Sequence, residues 1–73
     1  MGKLRILSGQ EVCEILANHG FEKIRQRGSP IIMQKKLQAT TITIPIPNHK
    51  EISTGTLKSI IRQSKLKSSE FEF

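Results

Sequence analysis

The sequence of 73 residues contains no tryptophan, tyrosine or aspartate, and its only cysteine is Cys13. A single thiol can form neither an internal disulfide nor a metal-binding cysteine pair. The six glutamates are too scattered along the chain to surround a hard cation. We therefore expect no metal and no other cofactor, a reducing compartment, and Cys13 as a small packing residue rather than a nucleophile.

Long apolar runs are also missing. No run of apolar residues exceeds three, whereas a membrane-spanning helix needs about 20. The N-terminus has no apolar signal-peptide core, so we expect no membrane association and a cytoplasmic location. The length predicts a single small domain over residues 1–73, because so short a chain buries only about 60% of its unfolded surface.

The charge of the chain is strongly one-sided. Twelve lysines and arginines against six glutamates give a net charge of +6 and a pI of about 10.0. This excess favours a polyanionic partner such as nucleic acid, although an acidic protein would satisfy the same balance. If the partner is a double-stranded or structured RNA, the three phenylalanines as the only aromatic residues favour contact with its backbone and 2′-hydroxyls over base stacking.

A helix is predicted over residues 9–19. The sequence SGQE at residues 8–11 has the form of a capping box, and apolar residues follow at helical spacing up to His19. Gly20 supplies a left-handed stop. His19 is predicted to be a half-buried imidazole near the end of the helix.

Three short strands follow in the prediction. Cations at residues 23, 25 and 27 alternate with other residues, which would place them on one face of a strand. In a regular strand Phe21 would lie on the same face as these cations. It must therefore precede the strand or lie beyond a bulge to reach the core. A turn at residues 28–30 leads to a strand over residues 31–34 and a hairpin containing Lys35 and Lys36. Over residues 41–46, isoleucines alternate with threonines, which predicts a half-buried strand. Pro45 confines this strand to an edge of the sheet or to the point where the chain leaves it.

A second helix is predicted from a cap at Ser53 or Thr54 to about Ser64. Its buried stripe comprises Leu57, Ile60, Ile61 and Ser64, and a basic ridge of Lys58, Arg62 and Lys65 lies beside it. A last helical turn would bring Phe71 or Phe73 over the core. The predicted fold class is α+β: an α-β-β-β-α sandwich, like double-stranded-RNA-binding domains, with two helices on one face of a three-stranded antiparallel sheet.

Several motifs in this order resemble the HicA family of bacterial toxins, over residues 7–71. They are LSGQE at residues 7–11, GF at 20–21, RQRGS at 25–29, TIP at 43–45, EI at 51–52, GTL at 55–57 and IIRQ at 60–63. The resemblance implies the same fold and a metal-independent ribonuclease that cleaves messenger RNA. It also implies an antitoxin protein, HicB, as partner.

The sequence departs from the family pattern at Pro30. In the family, the segment corresponding to Gly28 and Ser29 is followed by the catalytic histidine. Cleavage without metal needs a group that takes a proton from the 2′-hydroxyl near pH 7, and proline has no titratable side chain. Because proline is tolerated at the start of a strand, we expect the fold to survive and the catalysis to fail or fall by roughly 10² to 10⁴.

The other candidate site residues are assigned to RNA binding. His49 lies in a loop where the family often carries a histidine; it is either an exposed ring with local hydrogen bonds or a contact to RNA or partner, and it is not favoured as a replacement base. The cations would neutralise phosphates if they share a face, but they could equally be solvated or hold the antitoxin. The full set is Lys23, Arg25, Arg27, Ser29, Lys35, Lys36 and His49.

Three functions therefore stay open. The first is a HicA-type toxin with impaired ribonuclease activity. The second is a non-catalytic RNA-binding module, and the third is a regulatory subunit that binds the antitoxin.

Overall fold

The structure is a computed structural model that describes residues 6–25 and 28–72, without the side chain of Arg25. Two helices lie on one face of a three-stranded antiparallel sheet, as the sequence predicts. In chain order the elements are α1 (Gly9–Asn18), β1 (Glu22–Arg25), β2 (Ile31–Lys36), β3 (Thr41–Ile46), α2 (Thr54–Ser64) and a 3-10 turn (Ser68–Phe71). None of the described helices is long and apolar enough to cross a membrane.

Helix α1 begins and ends as its sequence indicates. The Ser8 hydroxyl accepts a hydrogen bond from the Glu11 N–H at 3.1 Å, and the Glu11 carboxylate accepts one from the Ser8 N–H at 2.9 Å. This reciprocal capping box satisfies two N–H groups that have no partner within the helix. The chain leaves α1 through Gly20, whose φ of +92° lies in the region that glycine adopts without steric cost.

The sheet has the order β1-β2-β3, so β2 is the central strand and β3 lies at an edge. Pro45, which pairs with Ile32 of β2, lies in this edge strand, as predicted. Strand β2 is longer than predicted and ends at Lys36. Lys35 and Lys36 are thus strand residues, and the prediction that they lie in the hairpin is wrong. The turn closes beyond them, where the Leu37 N–H donates to the Thr40 carbonyl at 2.7 Å.

A register shift interrupts β1. Lys23 pairs with Met33, whereas Arg25 pairs with Ile32, so two residues of β1 advance only one position along β2. Such a bulge breaks the period-two alternation of side chains. Phe21 precedes the strand and is buried, which agrees with the expectation for this residue.

The core fills the space between the sheet and the helices. The predicted stripe of α2 is buried, and the basic ridge of Lys58, Arg62 and Lys65 is exposed. Cys13 is buried in the core as a packing residue. The fully buried large side chains are Phe71, Leu7, Leu16, Ile31, Met33, Ile44, Ile46, Leu57 and Ile60, with Val12 and Cys13.

The C-terminal 3-10 turn packs on α1. Phe71 has no exposed surface, so it covers the core as one of the two predicted alternatives; Phe73 lies outside the described residues. The His19 Nε2 lies 2.9 Å from Glu70 Oε1, with the imidazole about a third exposed. The prediction of a half-buried His19 at the end of α1 is therefore confirmed.

Candidate nucleic-acid interface

Two loops meet at the end of the sheet where β2 begins. The first contains residues 28–30, with a cis peptide bond between Ser29 and Pro30, and the second contains residues 47–49. The Asn48 N–H donates to the Ser29 hydroxyl at 3.3 Å, and the Asn48 side-chain amide donates to the Gly28 carbonyl at 3.5 Å. Asn48 therefore ties the loop that carries Pro30 to the loop that carries His49.

The start of α1 completes this end of the molecule. The Gly9 N–H donates to the His49 carbonyl at 2.9 Å, which satisfies another unpaired donor of the first turn. A Cβ atom at Gly9 would collide with the Pro47 carbonyl oxygen, so the close approach of helix and loop requires glycine.

Lys23 is linked to the second loop through a chain of side-chain hydrogen bonds that runs by way of Gln10. Its ammonium donates to Gln10 Oε1 at 3.5 Å, and Gln10 Nε2 donates to Asn48 Oδ1 at 3.4 Å. Because Lys23 pairs with the buried Met33, it belongs to the face of the sheet that the helices cover. We call Gln10, Lys23, Ser29, Pro30, Asn48 and His49 the loop cluster.

The loop cluster has the polar groups of an RNA-backbone contact. Lys23 supplies a positive charge, and Ser29 supplies a hydroxyl; side chains of both kinds commonly contact phosphates. Pro30 is exposed and directly precedes β2, so the sheet accommodates it without losing a ladder hydrogen bond.

Of the two histidines, only His49 lies in the loop cluster. Its ring is exposed and has no hydrogen-bond partner within the described part of the chain, while its backbone carbonyl is held by Gly9. His19 lies at the other end of α1, paired with Glu70. His49 is therefore the one histidine of the loop cluster.

Lys35 and Lys36 lie away from the loop cluster. They are at the far end of β2, about 17 Å (Lys35) and about 20 Å (Lys36) from Pro30 at roughly 3.3 Å per strand residue. As consecutive strand residues they also face opposite sides of the sheet. The Lys35 ammonium lies 5.7 Å from the centre of the Phe21 ring, and Lys36 lines a shallow hollow on the uncovered face beside Glu22. The two lysines therefore do not share one face of the sheet, which was the condition for their acting together on phosphates.

The remaining predicted cations are Arg25, which lies next to the bulge of β1, and Arg27. A register shift lies between Lys23 and Arg25, and the Arg25 side chain is outside the described part of the chain. Arg27 lies outside the described residues. Of the predicted RNA-binding residues, the structure brings together Lys23, Ser29 and His49.

The cluster also contains two residues that the sequence argument did not select, Gln10 and Asn48. Both lie beside motifs that were singled out, Gln10 inside the capping box and Asn48 next to His49. Their role depends on contacts between residues 38 positions apart, which local patterns do not reveal.

Two further kinds of site were considered in the sequence, a metal site and a reactive thiol at Cys13. No group of three or more His, Cys, Asp or Glu side chains is placed to hold a metal ion there. Burial raises the pKa of the Cys13 thiol, and the charge of Lys23 only partly opposes this effect. A thiol with a raised pKa is a poor nucleophile at neutral pH.

The family model described as HicA toxin of bacterial toxin-antitoxin matches residues 9–66. The chain belongs to this family. The match contains all of the loop cluster, both helices and the three strands. Comparisons with curated proteins and with solved structures found no significant match. Membership in the HicA family identifies the chain as the toxin component of a toxin–antitoxin pair, with an antitoxin as its general partner.

Proposed function

We propose that this HicA-family chain binds RNA and descends from a metal-independent endoribonuclease of messenger RNA, and that its cleavage is impaired. The observation that carries the proposal is Pro30, which occupies the family's histidine position within the loop cluster. Family membership supports the ancestral activity, and the exposed position of Pro30 supports contact with a substrate.

The chemistry explains why this one position matters. In cleavage without metal, a base removes the proton of the 2′-hydroxyl as that oxygen attacks the adjacent phosphorus, and an acid protonates the leaving 5′-oxygen. Histidine suits both roles near neutral pH. Proline can perform neither, so this chain lacks the contribution of roughly 10² to 10⁴ that such a group supplies.

The rest of the loop cluster supports RNA binding without catalysis. Lys23 can neutralise a phosphate. Asn48 ties the two loops together, and Gln10 links Asn48 to Lys23. Binding of this kind depends on salt and little on base sequence. We propose a HicB-type antitoxin as the protein partner, whose binding would mask the RNA face.

The proposal is tested by Pro30→His beside Pro30→Asn. Both variants replace the exposed proline with a polar side chain, but only histidine titrates near pH 7. We expect Pro30→His to cleave a bulk messenger RNA in the presence of EDTA at least about a hundredfold faster than the unchanged chain, and to arrest growth on expression. Pro30→Asn should do neither.

Two outcomes would contradict the proposal. Equal cleavage by the histidine and asparagine variants would show that an imidazole at this position does not restore chemistry. Vigorous metal-free cleavage by the unchanged chain would show that another group acts as base, and His49→Gln would then test the remaining imidazole of the loop cluster.

A second candidate is a non-catalytic protein that binds RNA or only the antitoxin. Pro30 favours this candidate, because the chain lacks the titratable group that cleavage would need at this position. It predicts that Pro30→His remains inactive. RNA binding by the unchanged chain would then indicate an RNA-binding module. Co-purification with an antitoxin encoded by an adjacent gene, without RNA binding, would indicate a regulatory subunit.

A further inference from the structure

The exposed flank of α2 carries cations without compensating acids. Lys58, Arg62 and Lys65 are all exposed, and none forms an ion pair with a described carboxylate. No acidic residue occurs anywhere in residues 52–69. We call Lys58, Arg62 and Lys65 the α2 ridge.

The geometry of the α2 ridge concentrates its charge. Residues three or four apart on a helix have Cβ atoms about 5–6 Å from each other, and seven residues at 1.5 Å each extend about 10 Å along the axis. Lys65 ends the helix in a left-handed conformation, with φ of +62°. The three charges therefore form one short line on the surface.

The stability of α2 does not explain this arrangement. Like charges four residues apart, such as Lys58 and Arg62, destabilise a helix by about 0.2–0.5 kcal/mol. Arg62 and Lys65 do complement the negative end of the helix, but Lys58 lies near its middle and gains little from it. A bound polyanion would offset this repulsion, because each cation would be attracted to its negative charges.

The surroundings of the α2 ridge favour a phosphate backbone over a protein surface. The exposed residues next to it, Ser59 and Gln63, are small or polar. Protein interfaces have an apolar, lysine-poor centre, and the exposed large apolar residues among those described are Ile6, Ile24 and Leu37, none of which lies on α2. The face offers charge alone, which suits the uniform charge of a nucleic acid.

The α2 ridge begins near the loop cluster. The Ile52 N–H, just before the cap of α2, donates to the Leu7 carbonyl at 2.8 Å, next to the Ser8 cap of α1. Lys58 lies about 6 Å along α2 from its first residue. An RNA strand held at the loop cluster could therefore continue along this helix.

We propose that the α2 ridge is a second phosphate-binding surface, which holds the RNA backbone beyond the loop cluster. This inference rests on the RNA binding proposed above. It assigns to α2 a share of affinity that is independent of base sequence and of the chemistry at Pro30.

The test compares the unchanged chain with Lys58→Gln/Arg62→Gln/Lys65→Gln and with Lys58→Arg/Arg62→Lys/Lys65→Arg, which keeps the charge. Fluorescence anisotropy measures binding to two unrelated RNA duplexes of about 16 base pairs between low and moderate salt. Removing the charges should weaken binding to both duplexes and lower the log–log salt slope by about three, roughly one per lost phosphate contact. The charge-keeping variant should retain the slope of the unchanged chain.

Each outcome has a separate meaning. If the unchanged chain binds neither duplex, the proposed RNA binding itself fails, and this inference fails with it. If the unchanged chain binds and the glutamine variant binds with the same slope, only the α2 ridge is excluded. If that variant instead loses the antitoxin while keeping RNA, the ridge binds the protein partner and the inference is overturned. Thermal unfolding of both variants verifies that the exposed substitutions preserve the fold.

Discussion

At the scale of single residues, the loop cluster depends on the absence of a side chain at Gly9. The N–H of this residue holds the His49 carbonyl, and its Cα faces the Pro47 carbonyl so closely that no Cβ fits between them. The contact fixes the loop of Asn48 and His49 against the start of α1. Small size, rather than unusual backbone geometry, is the property that this position requires.

Gly9→Ala should destabilise the protein by about 1–3 kcal/mol, the usual cost of forcing extra atoms into a packed site. Gly55→Ala is the matched control, because a Cβ at this helical position meets no atom within 4 Å. The control should be neutral or stabilise by up to about 1 kcal/mol. Urea unfolding measures both, and equal effects would show that the loop can move away from the helix without cost.

The contacts between these residues also mark the limit of the sequence argument. Ser8 and Glu11 were predictable as a pair because a capping box is local. Gln10 and Asn48 were not, since their hydrogen bond exists only after the two loops and α1 have assembled. Lys23 was selected for its charge, but its position beside Gln10 follows from pairing with β2.

At the scale of elements, the strands were predictable in type and order but not in detail. Residues 41–46 alternate cleanly and form β3 as expected. In β1, a bulge between Lys23 and Arg25 alters the alternation, and a bulge is decided by how the partner strand fits. Pairing with β3 likewise extends β2 through Lys35 and Lys36, the two residues that were predicted to lie in the hairpin.

Helix α2 ends through a buried hydroxyl. The Ser64 Oγ donates to the Ile61 carbonyl at 2.7 Å and accepts from the Leu66 N–H at 3.1 Å. These bonds satisfy groups that the end of a helix leaves unpaired. A polar residue on the buried stripe is therefore part of the helix stop.

Ser64→Ala should cost about 1–3 kcal/mol, because it leaves the Leu66 N–H without its partner. Ser59→Ala on the exposed side of α2 removes only a hydroxyl that accepts from Gln63, and it should change stability by less than about 0.5 kcal/mol. Chemical denaturation compares the two variants. A cost for Ser64→Ala no larger than that for Ser59→Ala would mean that water replaces the lost bond.

At the scale of the whole molecule, the C-terminal turn closes the core. A chain of 73 residues at about 0.05–0.15 kcal/mol per residue has a total stability of roughly 4–11 kcal/mol. A single buried aromatic residue is a large part of that total. Phe71, near the end of the described chain, is therefore as important to the fold as the residues of the strands.

Phe71→Ala should destabilise the protein by about 3–5 kcal/mol, which removes much of its stability. The control is Glu70→Gln, which breaks the partly exposed pair with His19 and should cost less than about 1 kcal/mol. Differential scanning calorimetry measures both changes. If the Phe71→Ala variant unfolds at the same temperature as the Glu70→Gln control, the 3-10 turn is not part of the cooperative core.

Pro45 has a consequence for how the molecule behaves at high concentration. Among the described strands, β3 lies at an edge of the sheet, and an open strand edge can recruit further chains into a growing sheet. Because proline offers no N–H, this edge lacks one of the donors that an incoming strand would need. The proline that the sheet tolerates in β3 thus discourages edge-to-edge growth into fibres, which favours a protein that remains dispersed.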